Sequence, residues 1–334
     1  MATAPQIVIL DGYTVEPGDN PWQPVADQGR CTVYERTPPE SVLERAAAAE
    51  IILTSKVRLT ADMLQQLPQL RFISLLATGY NNVDVVWAGQ HGIPVANVPA
   101  YSTASVAQAT FALLLELTNQ AGLHDRAVKE GEWLRCPDYS FRKTPLVELD
   151  GRTLGIVGFG AIGRAVARIG TAFGMAIIAY TPHPPAADAF PGVRFVPVEE
   201  LFSQADVVSL NCPQTADNAG FVNAALLARM KRSAFLLNVA RGGLVNETDL
   251  AAALKDGVIA GAGLDVVAVE PMQADNPLRL APRCIITPHI AWASLAARQR
   301  LTSIVAANVA GYLAGQPINL VNSSWLPPAD IGAR

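Results

Sequence analysis

The strongest constraint on the fold of this chain is a glycine-rich turn near its middle. Residues 154–164 are LGIVGFGAIGR, so a short apolar run leads directly into the pattern G-x-G-x-x-G and then into a helical pattern. A buried strand that continues through such a turn into a helix is typical of a doubly wound α/β unit that binds a dinucleotide. Gly158 permits the tight turn, Gly160 lets the backbone approach a diphosphate, and Gly163 lets the helix pack closely on the strand.

The residues around this turn indicate how a cofactor would be bound. The amides of Ala161 and Ile162 lie at the positive end of the predicted helix, where a diphosphate is favoured. In many NAD-binding proteins the next strand ends in an acidic residue that binds the adenosine ribose, but Thr181 stands at that position. The missing carboxylate removes a repulsion against a 2′-phosphate, and Thr181, His183 and Arg164 are candidates to accommodate one. The sequence therefore predicts NAD(H) or NADP(H) as the cofactor and leaves the preference open.

Short apolar runs alternate with amphipathic helical patterns along most of the chain, which is typical of parallel sheets covered on both faces. The predicted strands are residues 7–10, 51–54, 72–76, 94–97, 154–157, 176–180, 207–210, 235–239, 259–264 and 285–287. The predicted helices are residues 39–49, 60–67, 101–118, 123–129, 162–173, 198–203, 224–230, 248–255 and 294–314. The pattern predicts an α/β protein with two doubly wound parallel-sheet domains.

The order of these elements also predicts how the domains divide the chain. The helix at 294–314 follows the last strand of the second series and has no further strand to cross to, so we expect it to pack on the first domain. The first domain would then be discontinuous, with residues 1–100 plus 290–334 forming a flavodoxin-like substrate domain. A Rossmann cofactor domain of residues 101–289 would be inserted into it.

Composition narrows the classes of function. Half of the 334 residues are hydrophobic and only 16% are charged, which excludes intrinsic disorder for the bulk of the chain. The net charge is −4 without blocks of like charge, so we expect no nucleic acid as a partner. The most apolar long stretch, 105–118, is too short and too polar to span a bilayer, and the N-terminal residues lack the basic region of a secretory signal. The cysteines lack metal-ligand spacing. We therefore expect a cytoplasmic protein with no membrane partner and no metal.

Three polar side chains follow predicted strands of the second domain and suit one reaction. Arg241, Glu270 and His289 each lie in the loop after a strand, at the edge where ligands bind in open α/β sheets. A guanidinium can hold and polarise a substrate that carries a carboxylate, and an imidazole can exchange the hydroxyl proton. A carboxylate beside the imidazole orients it and favours its charged form. These residue types indicate hydride transfer between a nicotinamide and a 2-keto acid.

Several segments spread over nearly the whole chain carry a resemblance to known proteins. They are the Gly158 turn and residues 76–84 (LATGYNNVD), 97–107 (NVPAYSTASVA), 239–243 (VARGG) and 287–292 (TPHIAW). Together they resemble the D-isomer-specific 2-hydroxyacid dehydrogenase family, and more closely its glycerate dehydrogenase (hydroxypyruvate reductase) branch. The resemblance implies NAD(P)H-dependent, reversible reduction of small 2-keto acids such as hydroxypyruvate and glyoxylate to D-2-hydroxy acids such as D-glycerate. It also implies a homodimer built largely through the cofactor domain.

The resemblance implies roles for individual residues near the substrate. Arg241 would bind the substrate carboxylate and carbonyl, His289 would be the acid/base, and Glu270 would pair with His289. Amides around Thr78 and Gly79 would hold the substrate carboxylate. Asp265 would hold the nicotinamide carboxamide, Pro213 and Thr215 would flank the adenosine, and Val239 and Ala240 would make further cofactor contacts. Trp292 would form a wall of the substrate pocket, but an aromatic residue at such a position is nearly as often a packing residue.

Departures from the family's usual residues leave the substrate less defined than the reaction. Ala161 stands where many relatives have Arg, and Ala109 stands where close relatives often have His. Residues 141–142 are Phe-Arg, where those relatives often have an aromatic pair. Each change alters a pocket, a cofactor contact or a dimer surface.

Other interpretations remain open at this point. Formate dehydrogenases share the fold, but their pattern has Gln where this chain has Glu270, which argues against that interpretation. An NAD(H)-binding sensor similar to transcriptional corepressors would bind cofactor without turnover, and a dehydrogenase of another D-2-hydroxy acid, of the D-lactate type, would differ only in substrate. Arg241, Glu270 and His289 could each be structural, and Asp84 is better interpreted as a helix cap than as a catalytic group.

Overall fold

A computed structural model describes residues 4–186 and 188–327 of the chain. In these residues the strands form two parallel sheets, one with five strands and one with seven, and α-helices connect most of them. This arrangement confirms the predicted α/β class with two doubly wound sheets.

The bounds of the elements follow in chain order. The strands in the described part of the chain are β1 (Gln6–Ile9), β2 (Arg30–Val33), β3 (Ile51–Thr54), β4 (Phe72–Leu75), β5 (Val95–Ala96), β6 (Thr153–Val157), β7 (Ala176–Tyr180), β8 (Val193–Phe195), β9 (Val207–Leu210), β10 (Phe235–Asn238), β11 (Gly261–Leu264) and β12 (Cys284–Ile286). The α-helices are α1 (Gln23–Ala26), α2 (Val42–Ala46), α3 (Ala61–Leu64), α4 (Val85–Gln90), α5 (Thr103–Asn119), α6 (Ala121–Lys129), α7 (Ala161–Ala172), α8 (Val198–Gln204), α9 (Ala224–Leu227), α10 (Glu247–Lys255) and α11 (Leu295–Leu313). Short 3₁₀ turns lie at Gly12–Thr14, Pro39–Ser41, Trp133–Arg135, Gly242–Leu244, Pro277–Leu280 and Ser323–Trp325. Over residues 4–186 and 188–327, no helix combines the length and the apolarity that crossing a bilayer requires.

Some elements differ from the sequence predictions for identifiable reasons. Strands β2 and β8 were not predicted because each is an edge strand that pairs with one neighbour and has no fully buried residue, so neither shows a buried apolar run. The predicted helix at 39–49 is wrong in extent, since a 3₁₀ turn precedes the five-residue helix α2. The predicted strand start at Ile259 is also wrong, because β11 begins at Gly261, opposite the first residue of β10.

The chain folds into two compact units, each with its own sheet. The first unit consists of the described residues up to Ser102 together with those from Ala293 onward. The second unit is Thr103–Trp292.

The first unit has the strand order β2-β1-β3-β4-β5, which is the flavodoxin-like order of doubly wound sheets. Helix α11 packs against β4 and α1, and the Tyr312 ring stacks on the Phe72 ring with 4.5 Å between centroids. The side-chain amide of Asn308 donates to Ser74 Oγ at 3.2 Å and to the Asn97 carbonyl at 2.9 Å. The last helix of the chain therefore completes the core of the unit that the first strands begin.

The second unit has the strand order β12-β11-β10-β9-β6-β7-β8. Counted from β6, this is the Rossmann order 3-2-1-4-5-6 with one additional strand. The direction of winding reverses between β6 and β9, whose ends lead into Gly158 and Asn211. Ligands of open α/β sheets bind at the carboxyl ends of the strands at such a reversal, so the fold places the glycine turn where a cofactor is expected.

Candidate active site

The three glycines of the turn between β6 and α7 have distinct surroundings. Gly158 has a φ of 93°, and a Cβ there would lie 2.6 Å from a backbone nitrogen of the loop after β9. A Cβ on Gly163 would overlap the Gly158 carbonyl oxygen, whereas no atom lies within 4 Å of the Cβ position of Gly160. Gly160 is the residue that precedes α7, it makes no side-chain hydrogen bond to the helix amides, and Ala161 and Ile162 are the first residues of the helix. An uncapped helix N-terminus beside an open glycine is suited to hold a diphosphate, so these residues fit a dinucleotide.

Further predicted cofactor residues lie at the carboxyl ends of neighbouring strands. Thr181 is half-buried directly after β7, and Val239 is buried directly after β10. Pro213 and Thr215 lie in the loop after β9, where Asn218 accepts a hydrogen bond from the Thr215 amide at 2.7 Å and donates one to the Pro213 carbonyl at 2.9 Å. The Asn218 side chain therefore fixes the loop that was predicted to flank the adenosine.

The carboxylate of Asp265 organises the loop that carries His289. Asp265 is only 2% exposed, and its oxygens accept hydrogen bonds from Thr287 Oγ1 at 2.5 Å and from the amides of Ile290 at 2.9 Å and Ala291 at 2.8 Å. Its backbone carbonyl accepts from the His289 amide at 2.8 Å. The side chain that was predicted to hold a carboxamide thus makes three hydrogen bonds within the protein, all to one loop.

His289 and Glu270 form a close pair. Nδ1 of His289 lies 2.7 Å from Oε2 of Glu270, and the two side chains are 41% and 37% exposed. His289 has a φ of 56°, a left-handed conformation that costs a non-glycine residue on the order of 1 kcal/mol or more. The indole nitrogen of Trp292 donates to the His289 carbonyl at 3.0 Å. The imidazole therefore sits on a backbone that Asp265 and Trp292 hold in an uncommon conformation.

The environment of Glu270 favours the ionised carboxylate. Burial acts to raise its pKa, but the hydrogen bond and charge of His289, the Val267 amide and the charge of Arg241 outweigh burial, so the pKa lies below its ordinary value of 4.5. An ionised carboxylate can only accept hydrogen bonds, so the proton between the pair belongs to Nδ1 of His289. The Nε2 atom of the imidazole is then the one left for a substrate.

Arg241 lies beside this pair on the loop after β10. The buried Asn238 side chain shapes that loop by donating to the Arg241 carbonyl at 2.9 Å and accepting from the Ala240 amide at 3.1 Å. A side chain at Gly242 would overlap the backbone of Val267, so the Arg241 loop packs directly on the loop that carries Glu270. The exposed guanidinium donates to the Ala240 carbonyl at 2.7 Å. The structure thus brings Arg241, Glu270 and His289 to one edge of the sheet, after the adjacent strands β10, β11 and β12.

The predicted substrate residues Thr78 and Gly79 lie in the other unit, after β4 and at the carboxyl edge of its sheet. Thr78 Oγ1 donates to the Val98 carbonyl at 2.7 Å, and the Asn97 side chain donates to the Thr78 carbonyl at 2.8 Å. These two hydrogen bonds fix the turn that presents the amides of this segment.

Two residues outside the site have defined partners. Asp84 caps α4 by accepting from the Trp87 amide at 2.9 Å, which confirms its interpretation as a helix cap. His124 is half-buried, and its ring nitrogens contact the Gln120 carbonyl and the Lys143 amide. Within residues 4–186 and 188–327, no group of three or more His, Cys, Asp or Glu side chains is arranged to hold a metal ion.

Some residues that shape this site escaped the sequence analysis. Asn238 shapes the Arg241 loop and directly precedes the motif at 239–243. Thr287 shapes the His289 loop and is the first residue of the motif at 287–292. Their position beside those motifs was the available signal. Glu247 contacts the Glu270 loop from α10. The sequence carries no signal for this contact, because the partners of Glu247 lie more than 20 residues away in the sequence.

Comparison with known proteins identifies the family of this chain. Residues 111–291 match the family model described as "D-isomer specific 2-hydroxyacid dehydrogenase, NAD binding domain". The chain is 45% identical to a hydroxypyruvate reductase of Blautia hydrogenotrophica over 95% of this chain and 99% of that protein. It is 40% identical to a glycerate dehydrogenase of Methylorubrum extorquens over 87% and 91% of the two chains.

A solved structure agrees as well. The NADPH-dependent glyoxylate/hydroxypyruvate reductase of Sinorhizobium meliloti, in complex with NADP and malonate, superposes with a TM-score of 0.82 at 29% identity and covers 99% of both chains. These matches confirm the predicted resemblance and the predicted dinucleotide, NAD or NADP. The chain therefore belongs to the D-isomer specific 2-hydroxyacid dehydrogenase family and is an NAD(P)-dependent oxidoreductase of that family.

Proposed function

We propose that this protein reduces small 2-keto acids, hydroxypyruvate and glyoxylate first, and runs reversibly on D-2-hydroxy acids such as D-glycerate. The observation that carries the proposal is the 2.7 Å contact between His289 and Glu270 beside the Arg241 loop, after three adjacent strands of a dinucleotide-binding sheet. The relatives named for hydroxypyruvate, glycerate and glyoxylate support this substrate class.

In this proposal each side chain has one task. When bound, the nicotinamide supplies the hydride to the keto carbon. Arg241 holds the substrate carboxylate and polarises the carbonyl. In the first unit, the amides near Thr78 and Gly79 are proposed to bind a carboxylate. Nε2 of His289 donates a proton to the carbonyl oxygen as the hydride arrives, and Glu270 stabilises the imidazolium before that transfer. In the oxidative direction the neutral imidazole accepts the hydroxyl proton.

The experiment that tests the proposal follows loss of reduced nicotinamide absorbance with the purified protein. NADH and NADPH are compared with hydroxypyruvate, glyoxylate, pyruvate and phenylpyruvate as acceptors. We expect rapid oxidation with hydroxypyruvate or glyoxylate, and we expect NADPH to be accepted because Thr181 leaves no carboxylate against a 2′-phosphate. Cofactor binding without turnover on any acceptor would favour the sensor interpretation, and an apparent affinity several hundredfold higher for NADH would refute the role given to Thr181.

Replacing Glu270 with glutamine is expected to lower the upper pH limit of reduction by on the order of one pH unit. Reduction needs the imidazolium, and Glu270→Gln removes the negative charge that stabilises it. Rates of reduction from pH 5 to 10 measure this shift, with Glu199→Gln, an exposed first-turn residue of α8, as the matched control. An unchanged profile in Glu270→Gln would contradict the pairing.

The lowered pKa of Glu270 determines how its contribution to stability depends on pH. Because this pKa is lower in the folded protein than in the unfolded chain, the carboxylate contributes stability above its ordinary value of 4.5 and loses that contribution as the pH falls through the lowered pKa. The Glu270 carboxylate therefore stays ionised over the whole pH range in which reduction is measured.

We also propose that the protein is a homodimer joined through its second unit. A groove of about 630 Å³ between α5 and α7 is lined mostly by apolar side chains that include Phe111, Leu115 and Ile169. In the same unit Leu134 and Tyr139 are 90% and 91% exposed. An apolar groove and large exposed apolar side chains are each typical of an interaction surface. Sedimentation should give twice the chain mass of 35.4 kDa, and Leu115→Arg should give a monomer; a monomeric parent protein would contradict the proposal.

We propose the cytoplasm as the compartment of this protein. The four cysteines are free thiols in the structure, as expected in a reducing environment. Fractionation of the producing cells tests this assignment, and recovery of the protein outside the cytoplasm would refute it.

A further inference from the structure

The loop that carries Glu270 is held at two points by one carboxylate from another element. Glu247 is the first residue of α10. Its Oε1 atom accepts a hydrogen bond from the Ala268 amide at 2.7 Å, and its Oε2 atom accepts one from the Asn276 side chain at 2.9 Å. Glu247 thus spans the loop between β11 and the 3₁₀ turn Pro277–Leu280.

Both contacts lie on the loop that carries Glu270. Ala268 lies two residues before Glu270, and the preceding amide, that of Val267, donates to Glu270 Oε1 at 3.2 Å. Successive amides of the loop therefore bind two different carboxylates, one from the loop itself and one from α10. At the other end, Asn276 uses its side-chain oxygen to accept from the Leu278 amide at 2.9 Å, so its amide group is oriented toward Glu247.

We propose that Glu247 is a positioning residue for the acid/base pair, since by holding Ala268 and Asn276 it keeps Glu270 within hydrogen-bonding distance of His289. The inference rests on the proposed function. The short connection between β10 and α10 contains Arg241 and leads directly into Glu247. It therefore supplies both the substrate guanidinium and the anchor of the Glu270 loop.

The charged groups around the pair can be separated by element. His289 faces Glu270 from the loop after β12, Arg241 faces it from the loop after β10, and Asp265 binds the backbone beneath His289. Glu247 contacts the Glu270 loop through the Ala268 amide and the Asn276 side chain. Its removal should therefore act on His289 through the placement of Glu270.

The variants follow from this geometry. Glu247→Ala removes both contacts. Glu247→Gln keeps the size of the side chain but has one acceptor and one donor, and it can satisfy Ala268 only by turning its donor toward the donor of Asn276. Asp249→Asn is the matched control, because Asp249 is the other acidic residue in the first turn of α10 and its carboxylate accepts from the Ala224 amide at 2.9 Å, outside the Glu270 loop.

Nuclear magnetic resonance of the histidine rings gives the first readout and needs no turnover. The chain has four histidines, so the His289 signal can be assigned from its loss in His289→Asn. We expect the ring chemical shifts of His289 at one fixed pH to change most in Glu270→Gln, less in Glu247→Ala and least in Glu247→Gln, and to stay unchanged in Asp249→Asn. Thermal unfolding of each variant verifies that it is folded, and Asn276→Ala replaces Glu247→Ala if the latter does not fold.

Kinetics gives the second readout. Glu247→Ala should lower kcat about 10- to 100-fold, the effect of a small displacement of a catalytic group, with cofactor affinity changed less than about twofold. In the Glu270→Gln background, Glu247→Ala should change neither the His289 ring chemical shifts nor the pH profile further, because the group it positions is already lost. Unchanged His289 ring chemical shifts in Glu247→Ala, or an equal further change in the double variant, would overturn the inference. A failure of the proposed function would appear separately, as absence of turnover in the parent protein.

Discussion

Replacing His289 with alanine is expected to lower kcat for hydroxypyruvate reduction by about 10²- to 10⁴-fold, the usual contribution of a positioned general acid. In the proposed mechanism the imidazole delivers the proton, since Nδ1 is bound to Glu270 and Nε2 is left for the substrate. Cofactor affinity should change little, because the glycine turn and the loops after β7 and β9 are separate from the His289 loop.

The measurement is steady-state turnover at saturating substrate, accompanied by fluorescence titration with NADPH. His91→Ala is the control, because His91 is exposed and stacks on Trp87 in the first unit. Near-normal turnover of His289→Ala at saturating substrate would show that the proton comes from another group.

Replacing Arg241 with alanine is expected to reduce kcat/KM by about 30-fold to several thousandfold. Truncating one member of a hydrogen-bonded charge pair costs about 2–5 kcal/mol, and each 1.4 kcal/mol is tenfold. Arg241→Lys should recover only part of this loss, because an ammonium cannot bind a carboxylate through two parallel hydrogen bonds as a guanidinium does. The loss should appear in both KM and kcat, since the same group holds the carboxylate and polarises the carbonyl.

The control for this variant is Arg229→Ala, which removes an exposed guanidinium after α9. If guanidinium ions added to the solution restore activity to Arg241→Ala but not to His289→Ala, the two roles are separated. Unchanged kcat/KM in Arg241→Ala would show that another group holds the substrate.

The sequence predicts the buried centre of the fold well, for a physical reason. The bounds predicted for β3, β7 and β9 are those found, because strands inside a parallel sheet are nearly continuous apolar runs with polar residues at their ends. The edge strands β2 and β8 lack that pattern and were missed. The short helices α1 and α4, of four and six residues, are too brief to show a helical period.

The candidate site shows a similar division. Arg241, Glu270 and His289 could be selected because each follows a predicted strand and has side-chain chemistry that suits the reaction. The supports of these residues could not be selected, because they depend on contacts between distant segments: Asp265 binds amides 25 and 26 residues later, and Glu247 binds an amide 21 residues later. Local spacing carries no information about such contacts, whereas the three-dimensional fold gives them directly.

We propose that this protein catalyses transfer of a hydride from reduced nicotinamide and a proton to a small 2-keto acid to give the D-isomer. The most direct measurement incubates the purified protein with hydroxypyruvate and reduced cofactor, and quantifies both cofactor oxidation and the two enantiomers of glycerate by chiral chromatography. We expect one D-glycerate for each reduced cofactor consumed. Formation of L-glycerate, or tight cofactor binding without any glycerate, would contradict it.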